Sequence, residues 1–265
     1  MKLNTDNTKR IVIKVGTSTL TYDTGLINIR RIEELVKAIA DLKNRGKQVI
    51  LVSSGAISCG LAKVGFPSRD KLSVEQKQAA AAVGQCVLID MYDKLFSDYG
   101  HKVAQILLTK DVIDNELRCS NAKNTFNLLL NMDCIPIVNE NDTVSSEQIS
   151  IGSNDTLSAI VAVLTDSDLL INMSDVDGLY TENPRENPNA GFIEKVDTID
   201  DTIEAYAGGA GTARGTGGMI VKLEAAKTVS DYGIPMLIIN GYHPKILYDI
   251  FEGEFKGTYF AANRK

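Results

Sequence analysis

The sequence predicts an α/β fold with a mostly parallel central sheet and helices on both faces of it. Apolar runs of strand length alternate with longer segments whose apolar residues recur at helical spacing, along the whole chain. The chain has 265 residues, 44% of them hydrophobic, which is enough for the core of one large domain. There is no internal repeat, and a break near Ser167 is compatible with two lobes of that domain.

The first half of the chain contains seven predicted elements. Short apolar runs predict strands over 10–16, 48–52, 103–108 and 135–138. Apolar spacing predicts helices over 28–45, 73–99 and 118–132. Gly46 and Gly100 are placed to end the first two helices, and Ser73 with Gln76 forms the capping-box pattern that begins the second. The turn that begins at Ser53 is interpreted as a loop.

The second half continues the alternation. Helices are predicted over 156–164 and 219–231, and strands over 168–173 and 235–240. A short edge strand is expected over 257–260. Two irregular segments separate these elements, a proline- and asparagine-rich excursion around 183–189 and a glycine-rich loop over 208–218.

Composition excludes several classes of function. The net charge is −6 and there is no long basic run, which argues against a nucleic-acid surface. There is neither a signal core nor a run of 18 apolar residues, so we expect a cytoplasmic protein with no membrane partner. Two isolated histidines give little support to a Ser-His-Asp or metal-histidine site. The cysteines lack zinc-site spacing and are expected to be reduced thiols: Cys59, Cys86, Cys119 and Cys134.

The ends of four predicted strands carry the polar residues expected of a site. In a parallel sheet these ends share one edge, where open α/β sheets bind ligands. The four turns are Lys14-Val-Gly-Thr-Ser18, Ser53-Ser-Gly-Ala56, Asn139-Glu-Asn-Asp142 and Ser174-Asp-Val-Asp-Gly178. Lys14 is exceptional because a charge inside an apolar strand is costly unless it is paired. We therefore interpret it as directed at an anion, the alternative being an edge strand with Lys14 in water.

These residue types favour phosphoryl transfer, which depends mainly on positioning and charge neutralisation. Two lysines, Lys14 and Lys222, and several carboxylates are available for that purpose, with Mg²⁺ held by oxygen ligands. The glycine-rich loop fits neither the P-loop nor the dinucleotide-binding pattern, so plain flexibility remains an equal interpretation of it. A carboxylate acceptor would already be ionised at neutral pH, with a pKa of about 4.3 for glutamate, and would need no general base.

Together, in this order, seven motifs resemble the amino acid kinase family, and within it the glutamate 5-kinases, over essentially the whole chain. They are Ile13-Lys-Val-Gly-Thr-Ser18, Ser54-Gly-Ala56, Ala82-Val-Gly-Gln85, Val138-Asn-Glu-Asn-Asp142, Gly152-Ser-Asn-Asp155, Ser174-Asp-Val-Asp-Gly-Leu-Tyr-Thr181, and Gly215-Thr-Gly-Gly-Met219 with Lys222. The resemblance implies a three-layer αβα sandwich. It also implies transfer of the ATP γ-phosphoryl group to the side-chain carboxylate of L-glutamate, giving L-glutamyl 5-phosphate in proline biosynthesis.

The resemblance also implies roles by position. Lys14 and Lys222 would neutralise the transferring phosphoryl group, and Asp155 would orient them. Glutamate would be held by Ser54, Asp142 and Asn154. Backbone N–H groups of Gly16 and Gly55 would face phosphate oxygens. ATP would be held by Ser174, Asp175 and the run Thr216, Gly217, Gly218, Met219, Ile220, Val221 and Lys222. No protein residue is assigned as a firm metal ligand.

An N-terminal lobe of about 1–166 would bind glutamate, and a C-terminal lobe of about 167–265 would bind ATP.

Two departures from the family pattern affect what is expected. Ser153 stands where family members often have Asp, so a carboxylate role there is lost. Many members carry a C-terminal PUA domain, and this chain ends too early for one. Feedback by proline and a homo-oligomer, dimer or tetramer, are expected from the family.

Two alternatives remain open. Another carboxylate kinase of the family, for aspartate or acetylglutamate, would have the same fold. A non-catalytic regulator that binds an amino acid is the alternative from a different class.

Overall fold

The central sheet follows the predicted alternation of strands and helices. In the computed structural model, the described residues are 1–22, 24–65, 72–145, 151–208 and 218–263. Within them one sheet has the strands β1 (Arg10–Val15), β2 (Gln48–Ser53), β3 (Lys102–Leu108), β4 (Cys134–Glu140), β5 (Leu169–Ser174), β8 (Lys195–Val196), β9 (Met236–Asn240) and β10 (Gly257–Phe260). A separate two-stranded sheet pairs β6 (Leu179–Tyr180) with β7 (Phe192–Ile193).

The strand order is β3-β4-β2-β1-β5-β9-β10-β8. The six strands from β3 to β9 are parallel, and β10 is antiparallel to β9 and parallel to β8. The prediction of a mostly parallel α/β sheet is therefore confirmed. The prediction of 257–260 as an edge strand is wrong, because the two-residue strand β8 lies outside it. So short a strand leaves no alternating pattern in the sequence from which to predict it.

Helices cover both faces. The first face is covered by α1 (Thr17–Leu20), α2 (Ile29–Asn44), α3 (Ala56–Val64), α4 (Val74–Ser97) and α10 (Ile246–Glu252). The second is covered by α5 (Asp111–Asp114), α6 (Glu116–Asn131), α7 (Asn154–Leu164), α8 (Asp201–Gly208) and α9 (Met219–Asp231). This is the three-layer αβα arrangement. The predicted capping box at Ser73 and Gln76 is present, and α3 lies where the sequence predicts a loop.

Two crevices open at the carboxyl edge of the sheet. After β2 the chain passes to the first face through α3, whereas after the neighbouring β4 it passes to the second face through α7. The same divergence occurs between β1 and its neighbour β5. After β1 the chain passes to the first face through α1, whereas after β5 it passes to the second face, where β6 lies. Where neighbouring strands lead to opposite faces, the loops part and leave a space for ligands.

All four cysteines are free thiols. None of the helices in the described segments combines the length and apolarity needed to cross a bilayer.

Candidate functional site

Lys14 is directed into the second layer of helices by the alternation of β1. Successive side chains of a strand point to opposite faces, so Lys14 shares a face with Val12, which packs in the core under α7 and α9. Lys14 is paired in register with Asn172 of β5, and that residue points to the same face. The carboxyl-end position predicted for Lys14 is thus the one it occupies, on an interior strand of the sheet.

The first turn of α7 brings the partner of Lys14. Ser153 is the N-cap, and its side chain accepts a hydrogen bond from the backbone N–H of Thr156 (3.2 Å). This cap begins the helix so that Asp155 enters the core, where it is 2% exposed. A serine at 153 therefore keeps the helix start although it lacks a carboxylate.

Asp155 is shared by two ammonium groups. Its Oδ1 lies 2.6 Å from Lys14 Nζ, and its Oδ2 lies 3.2 Å from Lys222 Nζ, which comes from α9. Asn172 Nδ2 also donates to Oδ1, at 2.6 Å. Both lysines are 6% exposed. Three distant parts of the chain therefore meet in one buried cluster, which we call the Lys–Asp–Lys cluster (Lys14, Asp155 and Lys222).

The charges of this cluster do not cancel. Burial alone would raise the pKa of Asp155, but Lys14, Lys222 and the Asn172 amide outweigh it and hold that pKa below its ordinary value. Burial lowers the pKa of Lys14, Lys222 lowers it further, and Asp155 opposes both. Within these three side chains two ammonium groups share one carboxylate, and Asp175 also acts on Lys14. Such a site favours an anionic ligand.

A polar cleft lies on one side of the cluster, in the crevice between β2 and β4; we call it the β2–β4 cleft. Its lining is mostly backbone, hydroxyl, amide and carboxylate groups: Thr17, Ser54, Gly55, Ala56, Ile57, Ser58, Asn139, Glu140, Asp142, Gly152, Ser153 and Asn154. Gly55 is the N-cap of α3 with φ of 103°, a left-handed conformation that glycine adopts without strain. The first turn of α3 therefore presents backbone N–H groups to this cleft.

Glu140 holds one wall of this cleft. Its Oε1 accepts from Ser145 Oγ (2.5 Å) and from the backbone N–H of Ile151 (2.9 Å). It thereby joins both described ends of the connection that leads from β4 to α7. Asp142 and Asn154, which line the cleft, lie on the two sides of that connection.

A second cleft lies beyond the end of β5, and we call it the β5–α9 cleft. It is lined by the turn after β5, by the excursion that follows it and by the start of α9: Ser174, Asp175, Val176, Gly178, Leu179, Tyr180, Glu182, Asn183, Pro184, Arg185, Tyr206, Gly218, Met219 and Lys222. Lys222 belongs to this cleft, whereas Asn154, which directly precedes Asp155, belongs to the other. The Lys–Asp–Lys cluster therefore connects the two clefts.

Ion pairs fix the turn after β5. Arg185 Nη2 lies 3.0 Å from Asp175 Oδ2, and Lys256 Nζ lies 2.6 Å from Asp177 Oδ2. Burial would raise the pKa of Asp175, but the Arg185 bond and its other hydrogen bonds keep it below its ordinary value. The Lys256 bond is the main cause that lowers the pKa of Asp177. Both carboxylates are thus held ionised in the turn after β5, and Asp175 lines the β5–α9 cleft.

The structure brings most of the predicted site residues to these two clefts. Gly16 borders the cluster, because a Cβ at that position would lie 3.7 Å from Lys14 Nζ. Ile220 is 51% exposed, and neither its side chain nor that of Val221 lines a cleft. Thr216 and Gly217 lie outside the described residues.

Sequence reasoning missed Asn172, although a signal for it was present. It is a polar residue inside an apolar strand, as Lys14 is, and it is fully buried. Arg185 and Tyr206 were also missed, because nothing in an irregular excursion or a short helix distinguishes residues that line a cleft. Among the described residues no group of three or more histidine, cysteine, aspartate or glutamate side chains is arranged to hold a metal ion.

Comparison with known proteins gives a consistent result. Residues 9–240 match the amino acid kinase family. The chain is 53% identical over 254 residues to the glutamate 5-kinase of Clostridium tetani, covering 96% of this chain and 95% of that protein. It is 50% identical over 262 residues to the glutamate 5-kinase of Clostridium perfringens, covering 97% of each.

A solved structure of isopentenyl phosphate kinase has the same fold. Its TM-score is 0.68 at 17% sequence identity, and the superposition covers 95% of this chain and 100% of that one. At this identity the likeness concerns the fold alone. It agrees with the αβα arrangement described above.

Proposed function

This chain belongs to the amino acid kinase family, and we propose that it transfers the γ-phosphoryl group of ATP to the side-chain carboxylate of L-glutamate. The product is L-glutamyl 5-phosphate, and the reaction is the first step of proline biosynthesis. The observation that carries the proposal is the buried Lys–Asp–Lys cluster between two clefts, in which two ammonium groups share one carboxylate.

The cluster suits the charge that develops in phosphoryl transfer. A carboxylate oxygen of glutamate forms a bond to the γ-phosphorus, the bond from that phosphorus to the β–γ bridging oxygen breaks, and ADP leaves with the electron pair. Lys14 and Lys222 neutralise the phosphoryl oxygens during this exchange. Asp155 holds both ammonium groups in place, since its two oxygens are each bonded to one of them. The acceptor is ionised before reaction, so no base is needed.

The two clefts divide the substrates between them. The β2–β4 cleft holds glutamate: Asp142 attracts its ammonium, and Ser54 with Asn154 binds its polar groups. The β5–α9 cleft holds ATP against Ser174, Asp175 and the start of α9, with Gly218 and Met219 at the helix N-terminus. Gly16 and Gly55 direct backbone N–H groups toward the phosphates, because neither has a side chain to obstruct them.

Mg²⁺ would be held mainly by the phosphates of ATP. The oxygens of Asp155 are occupied by Lys14, Lys222 and Asn172, and Asp175 is paired with Arg185. These two carboxylates therefore offer little free capacity for a bare ion. Magnesium commonly binds through substrate phosphates and water with one or two carboxylates, and it supplies charge neutralisation there.

The remaining family properties are also proposals. The β2–β4 cleft is built from residues 17–154 and the β5–α9 cleft from residues 174–222, which supports an acceptor lobe of about 1–166 and a nucleotide lobe of about 167–265. We propose cytoplasmic location, assembly into a dimer or tetramer, and inhibition by proline. Light scattering at several protein concentrations tests the assembly, and initial rates at increasing proline test the inhibition.

Trapping the product tests the reaction. Purified protein with ATP, Mg²⁺, hydroxylamine and L-glutamate should form the glutamyl hydroxamate, and L-aspartate and N-acetylglutamate at equal concentration should give far less. A preference for either of the other acceptors would make this a different carboxylate kinase. Binding of glutamate or proline in a calorimeter, without binding of ATP and without hydroxamate, would identify a non-catalytic regulator.

Asp142 provides a second test. Asp142→Asn should raise the KM for glutamate about tenfold or more, because one charge opposite the ammonium is lost, while kcat changes less. Asp114→Asn on α5, away from both clefts, is the matched control. Equal KM values for Asp142→Asn and the wild type would remove Asp142 from the glutamate site.

A further inference from the structure

Three side-chain amides form a chain, and two of them, Asn139 and Asn154, line the β2–β4 cleft. Asn139, near the end of β4, donates from Nδ2 to Gln85 Oε1 at 3.1 Å. Its Oδ1 accepts from Asn154 Nδ2, also at 3.1 Å. Gln85 belongs to α4, is 7% exposed and is not among the residues that line the cleft. The amide chain therefore runs from the interior of the protein to the cleft wall.

A backbone group fixes the direction of this chain. Asn139 Oδ1 also accepts from the backbone N–H of Glu140, at 3.0 Å, and a backbone N–H can only donate. Asn139 must therefore keep its oxygen on that side and its Nδ2 toward Gln85. Asn154 in turn must offer Nδ2 to Asn139. The second hydrogen of that Nδ2 goes to Ser54 Oγ, at 2.7 Å.

The direction decides which atoms the cleft offers to a ligand. Both hydrogens of the Asn154 amide are used inside the wall, so the atom that this amide leaves for a ligand is Oδ1, an acceptor. Ser54 Oγ already accepts from Asn154, so its hydroxyl hydrogen is left to be donated. The wall thus offers an acceptor suited to an ammonium group and a donor suited to a carboxylate.

Gln85 is placed to maintain this arrangement. Among the described residues, the hydrogen bond that Asn139 Nδ2 donates is accepted by Gln85 Oε1. The Nε2 of Gln85 is buried and has no partner among the described residues. A buried donor without a partner is unfavourable, so packing alone would favour an apolar residue here. The oxygen of Gln85 is therefore what the position requires.

We propose that Gln85 is a positioning residue that holds Asn139 in the orientation fixed by the Glu140 backbone, and so maintains the donor and acceptor pattern that makes the β2–β4 cleft selective for an α-amino acid. The proposal rests on the proposed function, since it concerns the acceptor of that reaction. Gln85 does not touch the substrate; it acts through Asn139 and Asn154.

Two variants at this position separate the role of the oxygen from the role of bulk. Gln85→Met keeps the length and removes the acceptor, whereas Gln85→Glu keeps an acceptor oxygen and puts oxygen in place of the unpartnered Nε2. The substrates are L-glutamate and glutarate, which lacks the ammonium group. Gln85→Met should raise the KM for glutamate about tenfold, with kcat changed less than about threefold, and lower the kcat/KM preference for glutamate over glutarate about tenfold.

Gln85→Glu should restore the KM and the preference to within about threefold of the wild type. An unchanged preference in Gln85→Met, or a Gln85→Glu variant as impaired as Gln85→Met, would overturn the proposal. If the wild type forms no glutamyl hydroxamate, the proposed function fails by itself, whatever the variants do.

A measurement on the wild type tests the orientation of the Asn154 amide directly, and a variant serves only to assign its signal. In nuclear magnetic resonance spectra of ¹⁵N-labelled protein, the side-chain NH₂ signal that disappears in Asn154→Asp belongs to Asn154. Both of its hydrogens should exchange with solvent at least about tenfold more slowly than those of an exposed asparagine such as Asn131, because both are bonded inside the wall. Exchange at the exposed rate would show that the amide faces the cleft with its nitrogen, and the proposal would be wrong.

Discussion

Lys14 and Asn172 are direct partners in the register of β1 and β5, and both side chains end on the same atom, Asp155 Oδ1, each at 2.6 Å. The sheet thereby fixes two of the three donors to this carboxylate before α9 contributes Lys222. Two neighbouring strands and a helix start are rigid elements, and a group held by them is already oriented when substrate arrives. Such preorganisation is the main source of electrostatic catalysis.

The bond from Asn172 should be visible in the stability of the protein in acid. The pKa of Asp155 is lowered in the folded state, so its stabilising contribution is complete above the ordinary pKa of about 3.9 and is lost as the pH falls through the lower folded value. Asn172→Leu removes one donor and raises that folded pKa. The loss of unfolding free energy on acidification from pH 7 to below the folded pKa should therefore shrink by about 1 kcal/mol.

Urea denaturation at a series of pH values measures this difference. Asn131→Leu at the exposed end of α6 serves as the control and should keep the wild-type pH dependence. The stability at pH 7 is a poorer test, because Asn172 Oδ1 is itself buried without a partner in the described structure and its removal compensates in part. If the free energy of unfolding of Asn172→Leu changes with pH as that of the wild type does, the Asn172 amide does not act on Asp155.

Lys222 should be needed for the chemical step more than for binding of the amino acid. It lines the β5–α9 cleft and reaches Asp155 from there, on the nucleotide side of the cluster. Lys222→Ala should lower kcat on the order of 10²-fold or more, with a smaller change in the KM for glutamate. Lys227→Ala on the same helix, exposed and paired with Glu204, should leave both constants near the wild type. An unchanged kcat in Lys222→Ala would exclude it from the mechanism.

The burial of Lys14 should limit activity at high pH. Desolvation lowers its pKa below the ordinary value of about 10.4, so it loses its charge earlier in alkali than a surface lysine does. The kcat/KM for ATP should therefore fall at an apparent pKa below 10.4. Lys14→Arg keeps its charge throughout this range, and the fall should move to higher pH although the maximum rate is reduced. If kcat/KM for ATP falls at the same high pH in the wild type and in Lys14→Arg, the group that titrates is not Lys14.

Much of this fold could be predicted because its signals are local. Lys14 is conspicuous in the sequence as a charge inside an apolar strand, and the helix that carries Asp155 begins with polar capping residues. Asn172 gave the same kind of signal but is uncharged, so burial did not demand an explanation. The helix α3 was missed because its N-cap, Gly55, has no side chain with which to form a capping bond. The role of Gln85 depends on contacts between distant segments, and a glutamine within a helix gives no local sign of them.

The close crossing of α3 and α4 supports the cleft from behind, and it depends on two glycines. A Cβ on Gly84 would lie 1.7 Å from the backbone oxygen of Ala56, and one on Gly60 would lie 1.8 Å from that of Ala80. Backbone cannot move aside as a flexible side chain can, so the helices would have to separate. Because α3 follows directly after Ser54 and Gly55, this separation should also displace the wall of the β2–β4 cleft.

Gly84→Ala should therefore destabilise the protein by about 1–3 kcal/mol and raise the KM for glutamate more than the KM for ATP. Gly191→Ala is the matched control, since its Cβ would meet only the Thr181 side chain at 3.4 Å and its effect should stay within about 0.5 kcal/mol. Urea denaturation and initial rates measure the two effects. A variant that loses stability while its KM for glutamate stays constant would show that the crossing supports the fold but does not position the cleft.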